Sequence, residues 1–188
     1  MKLPLFPLSS HILPEGRMAL RIFEPRYLRM IKQACANDSG FVICMLNNEG
    51  TKTDNSHIFP LGTKCKVIDF NVLDDGLLGV TIEGLECVIV SQIETEHDDL
   101  RIGECESTPG WTCKTRIQEF HPIDTRLKEI FERYPEVSAL YHVTPFDDPI
   151  WVINRWIELL PVGAQQKQHF LMQKDYKNVF NYLSQLIE

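Results

Sequence analysis

The hydrophobic period of the chain changes near its middle, and this change constrains the fold more than any other feature. Residues 1 to about 108 contain short apolar runs separated by turn residues, which is typical of strands. From about residue 121 apolar residues recur every three to four positions, which is typical of amphipathic helices. The sequence therefore predicts an α+β fold, with a β-rich part first and a helical part after it.

Six or seven short strands are predicted in the first part, and their close spacing favours a barrel or a folded sheet. The segment Asp74-Asp75-Gly76 is a strong hairpin signal, because these residues tolerate positive φ. The predicted strands span residues 3–8, 18–23, 41–46, 64–73, 77–83, 87–93 and 100–105.

Proline and capping residues mark the predicted helix boundaries. Pro25 suits the first position of a helix that interrupts the β-rich part, and Glu24 before it favours the positive helix end. In the second part, Asp148 is a predicted N-cap followed by Pro149, and Asp175 is predicted to cap the last helix. Two further helices are expected, one around an apolar stripe at 127–134 and one over 164–173.

Charge excludes one broad class of function. The net charge of −7 and the pI of about 5.4 argue against general binding to phosphate backbones. The charge is uneven, because residues 1–32 carry six basic against two acidic residues, whereas residues 83–106 carry eight acidic residues against one arginine. We interpret these two regions as solvated faces.

The cysteines and the apolar runs indicate the compartment. No run approaches the roughly 18 apolar residues of a membrane span, and the N-terminus lacks a signal-peptide core. A cytoplasmic protein with reduced thiols is therefore expected. Cys44, Cys65, Cys87 and Cys105 lie in strand-like runs and are predicted to be small core residues. The six cysteines include no CxxC pair, so no metal is expected.

Catalytic motifs are absent from the sequence. There is no GxxxxGK[ST] for nucleotide phosphates, no GxGxxG after a strand, no GxSxG and no HExxH. The six histidines are scattered, so a Cys–His nucleophile pair would have to meet in space rather than in sequence. We expect no catalytic residue, no cofactor and no enzyme activity. A small hydrolase is the third possible function class, after the two that are described below.

Several segments resemble the LON substrate-binding domain in their sequence and in their order along the chain. The most specific is Ile22-Phe23-Glu24-Pro25-Arg26-Tyr27, which we call the motif segment. The others are 3–8, Gly16-Arg17, Gly62-Thr63, Asp75-Gly76, 156–161, Lys167-Gln168 and the helix after Asp175. The chain departs from the family pattern at Glu15, Ala19, Cys87 and Gln173, where Gly, Pro, Arg and Glu are common.

The resemblance implies a PUA-like β pseudo-barrel with one inserted helix over residues 1–115, followed by an α-helical domain over 116–188. In Lon proteases this unit precedes an ATPase and a Ser–Lys peptidase domain and helps to select unfolded or tagged polypeptides. Because the sequence stops where those domains would begin, the resemblance implies a stand-alone, non-catalytic bacterial protein. Its expected partners are such polypeptides and a separate protease or chaperone, with no membrane.

An RNA-binding PUA-like protein is the alternative function. Fold analogy supports it, and so does the basic N-terminal third of the chain, whereas the overall acidity opposes it.

Two sets of residues are candidates for the binding site. Phe23, Glu24, Pro25, Arg26 and Tyr27 are interpreted as structural, a strand end joined to a capped helix, and the alternative makes Arg26 part of a carboxylate-binding site. The predicted polypeptide-binding patch consists of large aromatic residues in turn-rich stretches near the junction of the two halves. Its members are Trp111, Phe120, Tyr141 and Phe146. The alternative is that these four fill the interface between the halves.

Overall fold

A computed structural model describes residues 1–187, and their contacts divide the chain after Pro109 into two compact units. We call Met1–Pro109 the strand unit and the part from Gly110 onward the helical unit. The division falls before the boundary expected at residue 115. Residues 110–115 lie with the helical unit because the Trp111 indole N–H donates to the Gln173 carbonyl at 3.0 Å and the Cys113 thiol to the Tyr176 hydroxyl at 3.1 Å.

The strand unit contains six strands, and five of them form a closed ring. The hydrogen-bonded order is β2-β5-β4-β3-β1-β6, and β6 also pairs with β5, so that β2 lies outside the ring on β5. The β1–β3 pair is parallel and the others are antiparallel. The elements are β1 Lys2–Leu8, β2 Arg17–Ile22, α1 Pro25–Asn37, β3 Phe41–Leu46, β4 Ile58–Val72, β5 Leu78–Thr95 and β6 Arg101–Ser107.

Two strands differ from their predicted lengths. The predicted strands 77–83 and 87–93 are one strand, β5, which passes through Gly84. The Gly84 N–H donates to the carbonyl of Gly16 at 2.9 Å, and a side chain at Gly84 would collide with the Leu13 carbonyl. This glycine therefore permits a close backbone approach and does not end the strand. The predicted strand 64–73 also begins earlier in the structure, where β4 starts at Ile58. Strand β4 can include Pro60 because this proline lies at a bulge opposite β3.

The core of the strand unit confirms part of the cysteine prediction. Cys44, Cys65 and Cys105 are buried, whereas Cys87 is only partly buried. All six cysteines of the chain are thiols, and Cys35 is exposed on α1. Helix α1 packs its apolar face into this core through Met30, Ile31 and Ala34.

Two helices of the helical unit begin where capping residues predicted them. The Asp148 carboxylate accepts hydrogen bonds from the backbone N–H groups of Ile150 and Trp151 at 2.8 and 3.2 Å, and Asp175 accepts one from Lys177 at 3.0 Å. The helices are α2 Ile123–Arg133, α3 Pro135–Ser138, α4 Pro149–Leu159, α5 Ala164–Leu171 and α6 Lys177–Ile187, preceded by a 3-10 turn at Ile117–Phe120. Within residues 1–187 no helix is long and apolar enough to cross a membrane.

Candidate functional site

A cavity of about 290 Å³ in the strand unit is lined by residues of the motif segment and by side chains from several other parts of the chain. We call it the motif groove. Its apolar lining comes from β1, from β2 with the residues that follow it, and from the end of β3. The largest apolar side chains of this lining are Phe6, Leu8, Leu20, Ile22, Phe23, Tyr27 and Leu46.

Local structure sets the orientation of the motif segment. Side chains alternate along a strand, and Ile22 at the end of β2 is buried, whereas the next residue, Phe23, is 64% exposed. Pro25 at the first helical position fixes the start of α1, which carries Arg26 and Tyr27 in its first turn. The Tyr27 ring stacks on Phe6 with 4.0 Å between ring centroids, so that β1 and α1 share one wall of the groove.

Arg26 holds several parts of the groove together. Its guanidinium pairs with the Glu24 carboxylate at 2.7 Å and donates to the Asp99 carbonyl at 3.0 Å. It also lies 4.7 Å from the centroid of the Tyr27 ring, in cation–π geometry. The motif residues therefore make the structural contacts expected of a strand end joined to a helix, and the same residues line an open cavity.

A second recess, of about 480 Å³, adjoins the groove and shares Glu24, Arg26, Lys52 and Arg101 with it. We call Arg26, Lys52 and Arg101 the cationic rim. Among the residues that the structure describes, the Arg101 guanidinium donates only to neutral oxygens, on Asp99 at 2.8 Å, Asn55 at 3.3 Å and Lys52 at 3.5 Å. The Lys52 ammonium has no hydrogen bond or ion pair with any residue that the structure describes.

The acidic residues near the rim do not cancel this charge. Glu24 is paired with Arg26, and Asp98 accepts two hydrogen bonds of 2.8 Å from Arg29. These bonds from Arg29 lower the pKa of Asp98 to about 2. The Asp99 carboxylate is thus the one acid of the recess left against Lys52 and Arg101.

The His57 imidazole lines the groove near Lys52 and Arg101, and the charge of Asp54 also acts on it. Burial lowers the pKa of the His57 imidazole, a hydrogen bond with Thr51 opposes this, and the charges of Arg101 and Lys52 lower the pKa further. The His57 ring nitrogen Nδ1 lies 3.1 Å from the Thr51 carbonyl. The two cations, Lys52 and Arg101, make this end of the groove suited to an anion.

The four aromatic residues of the predicted patch lie in the helical unit. Phe120 is 1% exposed and contacts the rings of Tyr176 and Phe180, at centroid distances of 5.8 and 4.9 Å. Its ring is therefore core and offers no surface to a ligand, which corrects its place in the predicted patch. Trp111 is half-buried, with its indole N–H on the Gln173 carbonyl.

Tyr141 and Phe146 belong to a cluster of rings around Phe131 and Trp151, which we call the ring cluster. The centroids of Tyr141 and Phe146 lie 5.5 and 5.4 Å from that of Phe131. Phe131 and Trp151 are buried, while Tyr141 and Phe146 are half-buried. These two residues thus stabilise the helical unit and keep part of their surface accessible.

Sequence reasoning missed most of the groove. Lys52, His57 and Arg101 belong to no motif, and they reach the motif segment only because the strand ring closes.

Among residues 1–187 no group of three or more His, Cys, Asp or Glu side chains could hold a metal ion.

Comparisons with known proteins bear on the whole chain. A family model described as the ATP-dependent protease La (LON) substrate-binding domain matches residues 2–188. A solved Lon N-terminal domain protein from Xanthomonas campestris is 26% identical, with a TM-score of 0.74 over 97% of this chain and 96% of that chain. The N-terminal domain of a Mycobacterium avium complex Lon protease has a TM-score of 0.68 over the same shares, and at 12% identity it shows the fold alone. No curated protein matches the chain.

Proposed function

The chain belongs to the LON substrate-binding domain family, and from this premise we propose that it is a non-catalytic module that binds non-native polypeptides. The family description names binding, and the match spans residues 2–188. We further propose that the strand unit is a PUA-like pseudo-barrel and the helical unit an α-helical domain. In this proposal the module works in the cytoplasm and presents its clients to a separate protease or chaperone.

The motif groove is the observation that carries the proposal. Unfolded chains expose apolar side chains that folded proteins bury, and a concave apolar lining can cover them. At about 290 Å³ the cavity is at the small end of ligand pockets, and it suits one or two side chains better than a cofactor. Phe23, 64% exposed at this cavity, provides further apolar surface that a bound segment can cover.

The aromatic patch remains a second proposed location for binding. Trp111, Tyr141 and Phe146 keep part of their surface accessible, whereas the burial of Phe120 speaks against its participation. If Trp111→Ala weakens binding in the assay described next and Phe23→Ser does not, the binding site lies in the helical unit.

The test is a titration of a labelled, permanently unfolded protein against the wild type, Phe23→Ser and Phe70→Ser. Phe70 is the matched control, because it is 71% exposed, lies on β4 of the same unit and does not line the groove. Burying one such ring is worth roughly 1.5–3 kcal/mol, so we expect Phe23→Ser to weaken binding about tenfold or more. Phe70→Ser should bind like the wild type. The reverse result would move the site to the β4–β5 hairpin, and no binding by the wild type would refute the function.

RNA binding is the second candidate, and the cationic rim is the observation that favours it. Titration with single-stranded RNA at increasing salt distinguishes the two functions. Phosphate contacts release counterions, so RNA affinity would fall steeply with salt, whereas apolar contacts are insensitive to screening. Tight, salt-dependent RNA binding together with weak polypeptide binding would replace the proposed function.

A further inference from the structure

The apolar cavity and the cationic recess of the strand unit are two parts of one site. Glu24, Arg26, Lys52 and Arg101 line both of them, so the boundary between apolar and charged surface runs through these four residues. A ligand that matches both parts must carry an apolar group and an anion a few bonds apart.

We propose that the motif groove binds the C-terminal residue of a polypeptide, with its apolar side chain in the cavity and its free α-carboxylate on Lys52 and Arg101. The inference rests on the proposed function and specifies the part of the client that is bound. In a C-terminal residue the side chain and the carboxylate leave the same Cα, which matches the shared lining. For an internal acidic residue, the carboxylate belongs to one residue and the apolar side chain to another, so the two groups do not leave the same Cα.

The charge balance of the rim favours a carboxylate there. The Lys52 ammonium has no partner among the described residues, and the Arg101 guanidinium meets only neutral oxygens. Arg26 is already paired with Glu24, so its role is to position the groove and the Asp99 carbonyl. A bound carboxylate would therefore meet two cations that no carboxylate within residues 1–187 neutralises directly, in the arrangement of a charge-assisted pair.

The Asp99 carboxylate is the group that opposes this arrangement. It is exposed, and the backbone of Asp99, not its side chain, contacts Arg26 and Arg101. Asp98, the other acid of the recess, is held by Arg29. Two cations against one exposed carboxylate leave a net positive rim for the ligand.

The experiment uses the full chain and labelled ten-residue peptides of one sequence. One peptide ends in Leu as the free acid, the second in Leu amide, the third in Ser as the free acid, and the fourth is the Leu amide with Glu in the preceding position. We expect the Leu acid to bind about tenfold or more tightly than the Leu amide or the Ser acid, because each lacks one of the two contacts. We expect the Glu-containing amide to bind like the plain amide.

Lys52→Glu tests the rim, and Lys32→Glu is its matched control. Both lysines are exposed, and Lys32 lies on α1 outside the groove. Lys52→Glu should abolish the advantage of the free acid over the amide, while Lys32→Glu should preserve this advantage.

The outcomes separate this inference from the proposed function. Equal binding of acid and amide, equal binding of the Glu-containing amide and the Leu acid, or an acid advantage that survives in Lys52→Glu would overturn the inference. In each case polypeptide binding itself would stand. If the wild type binds the unfolded protein but none of the peptides, the C-terminal site is again wrong. If it binds neither, the proposed function fails as well.

Discussion

In the strand unit charged side chains pair across the surface, whereas in the helical unit aromatic rings pack on one another. Among the described residues, nine ion pairs lie in the strand unit and three in the helical unit. Of the ring pairs, one lies in the strand unit and eight in the helical unit. Exposed ion pairs are worth little and depend on pH, while buried rings are worth several kcal/mol.

The contrast shows where apolar surface remains available. The ring pair of the strand unit, Phe6 with Tyr27, lines an open cavity. In the helical unit Phe120, Phe131 and Trp151 are buried, so most of its aromatic surface fills the core. A large aromatic residue in a turn-rich stretch therefore does not by itself indicate a binding surface.

The largest expected effect is on the stability of the helical unit. We expect Phe120→Ala to lower the free energy of unfolding by about 3–5 kcal/mol, because it leaves a cavity among the core rings. Phe23→Ser should change it by less than about 0.5 kcal/mol, because this ring is exposed. Urea unfolding of both variants measures the difference. A stable Phe120→Ala that has lost polypeptide binding would instead support the predicted aromatic patch.

The thiols of the strand unit allow the solvent accessibility of its core and of its surface to be compared. Cys35 is exposed, whereas Cys44 is buried, and burial raises the pKa of the Cys44 thiol. In native buffer we expect alkylation of Cys35 to be faster than that of Cys44 by about 100-fold or more, since only a thiolate reached by solvent reacts. Peptide mass spectrometry over time measures both rates. Comparable rates would mean that the strand ring opens readily.

Acid should weaken the ion pair between Asp98 and Arg29. The pKa of Asp98 is lowered to about 2 from an ordinary value of 3.8, chiefly by hydrogen bonds from Arg29. A carboxyl with a lowered pKa stabilises the fold above its unfolded pKa, and this contribution is lost as the pH falls from about 4 to 2. We expect Asp98→Asn to melt at a lower temperature than the wild type at pH 7, with the difference vanishing near pH 2.

The control for this measurement is Asp147→Asn, at an exposed position of the helical unit. Its melting temperature should follow that of the wild type at every pH. A constant difference between Asp98→Asn and the wild type from pH 7 to 2 would show that the Arg29 pair does not contribute through ionisation.

The smallest expected effect concerns backbone strain in the turn before β2. Glu15 has φ of 63°, and its N–H donates to the Gly84 carbonyl at 2.8 Å. Glycine adopts this conformation without steric cost, which agrees with its frequent occurrence at this position in the resembling family. We expect Glu15→Gly to raise the free energy of unfolding by roughly 0.5 kcal/mol, as a shift in the urea midpoint. A loss of stability would mean that the Glu15 side chain contributes more than the strain costs.

The sequence by itself determined the local elements. Pro25 marked the start of α1, Asp148 that of α4, and the predicted strand at 41–46 matches β3. These signals are readable because a fixed proline φ or a capping hydrogen bond acts within three residues along the chain.

Only the tertiary structure decided the continuity of β5, the burial of individual side chains and the composition of the motif groove. The sequence predicts two strands, 77–83 and 87–93, but β5 is continuous through Gly84, where another backbone segment approaches closely. Arg155 is charged, yet it is 1% exposed, paired with Glu158 and near the Trp151 ring. The motif groove required closure of the ring, which brings Lys52 and Arg101 to Arg26. Burial and proximity depend on neighbours that are distant in sequence, so no local pattern can encode them.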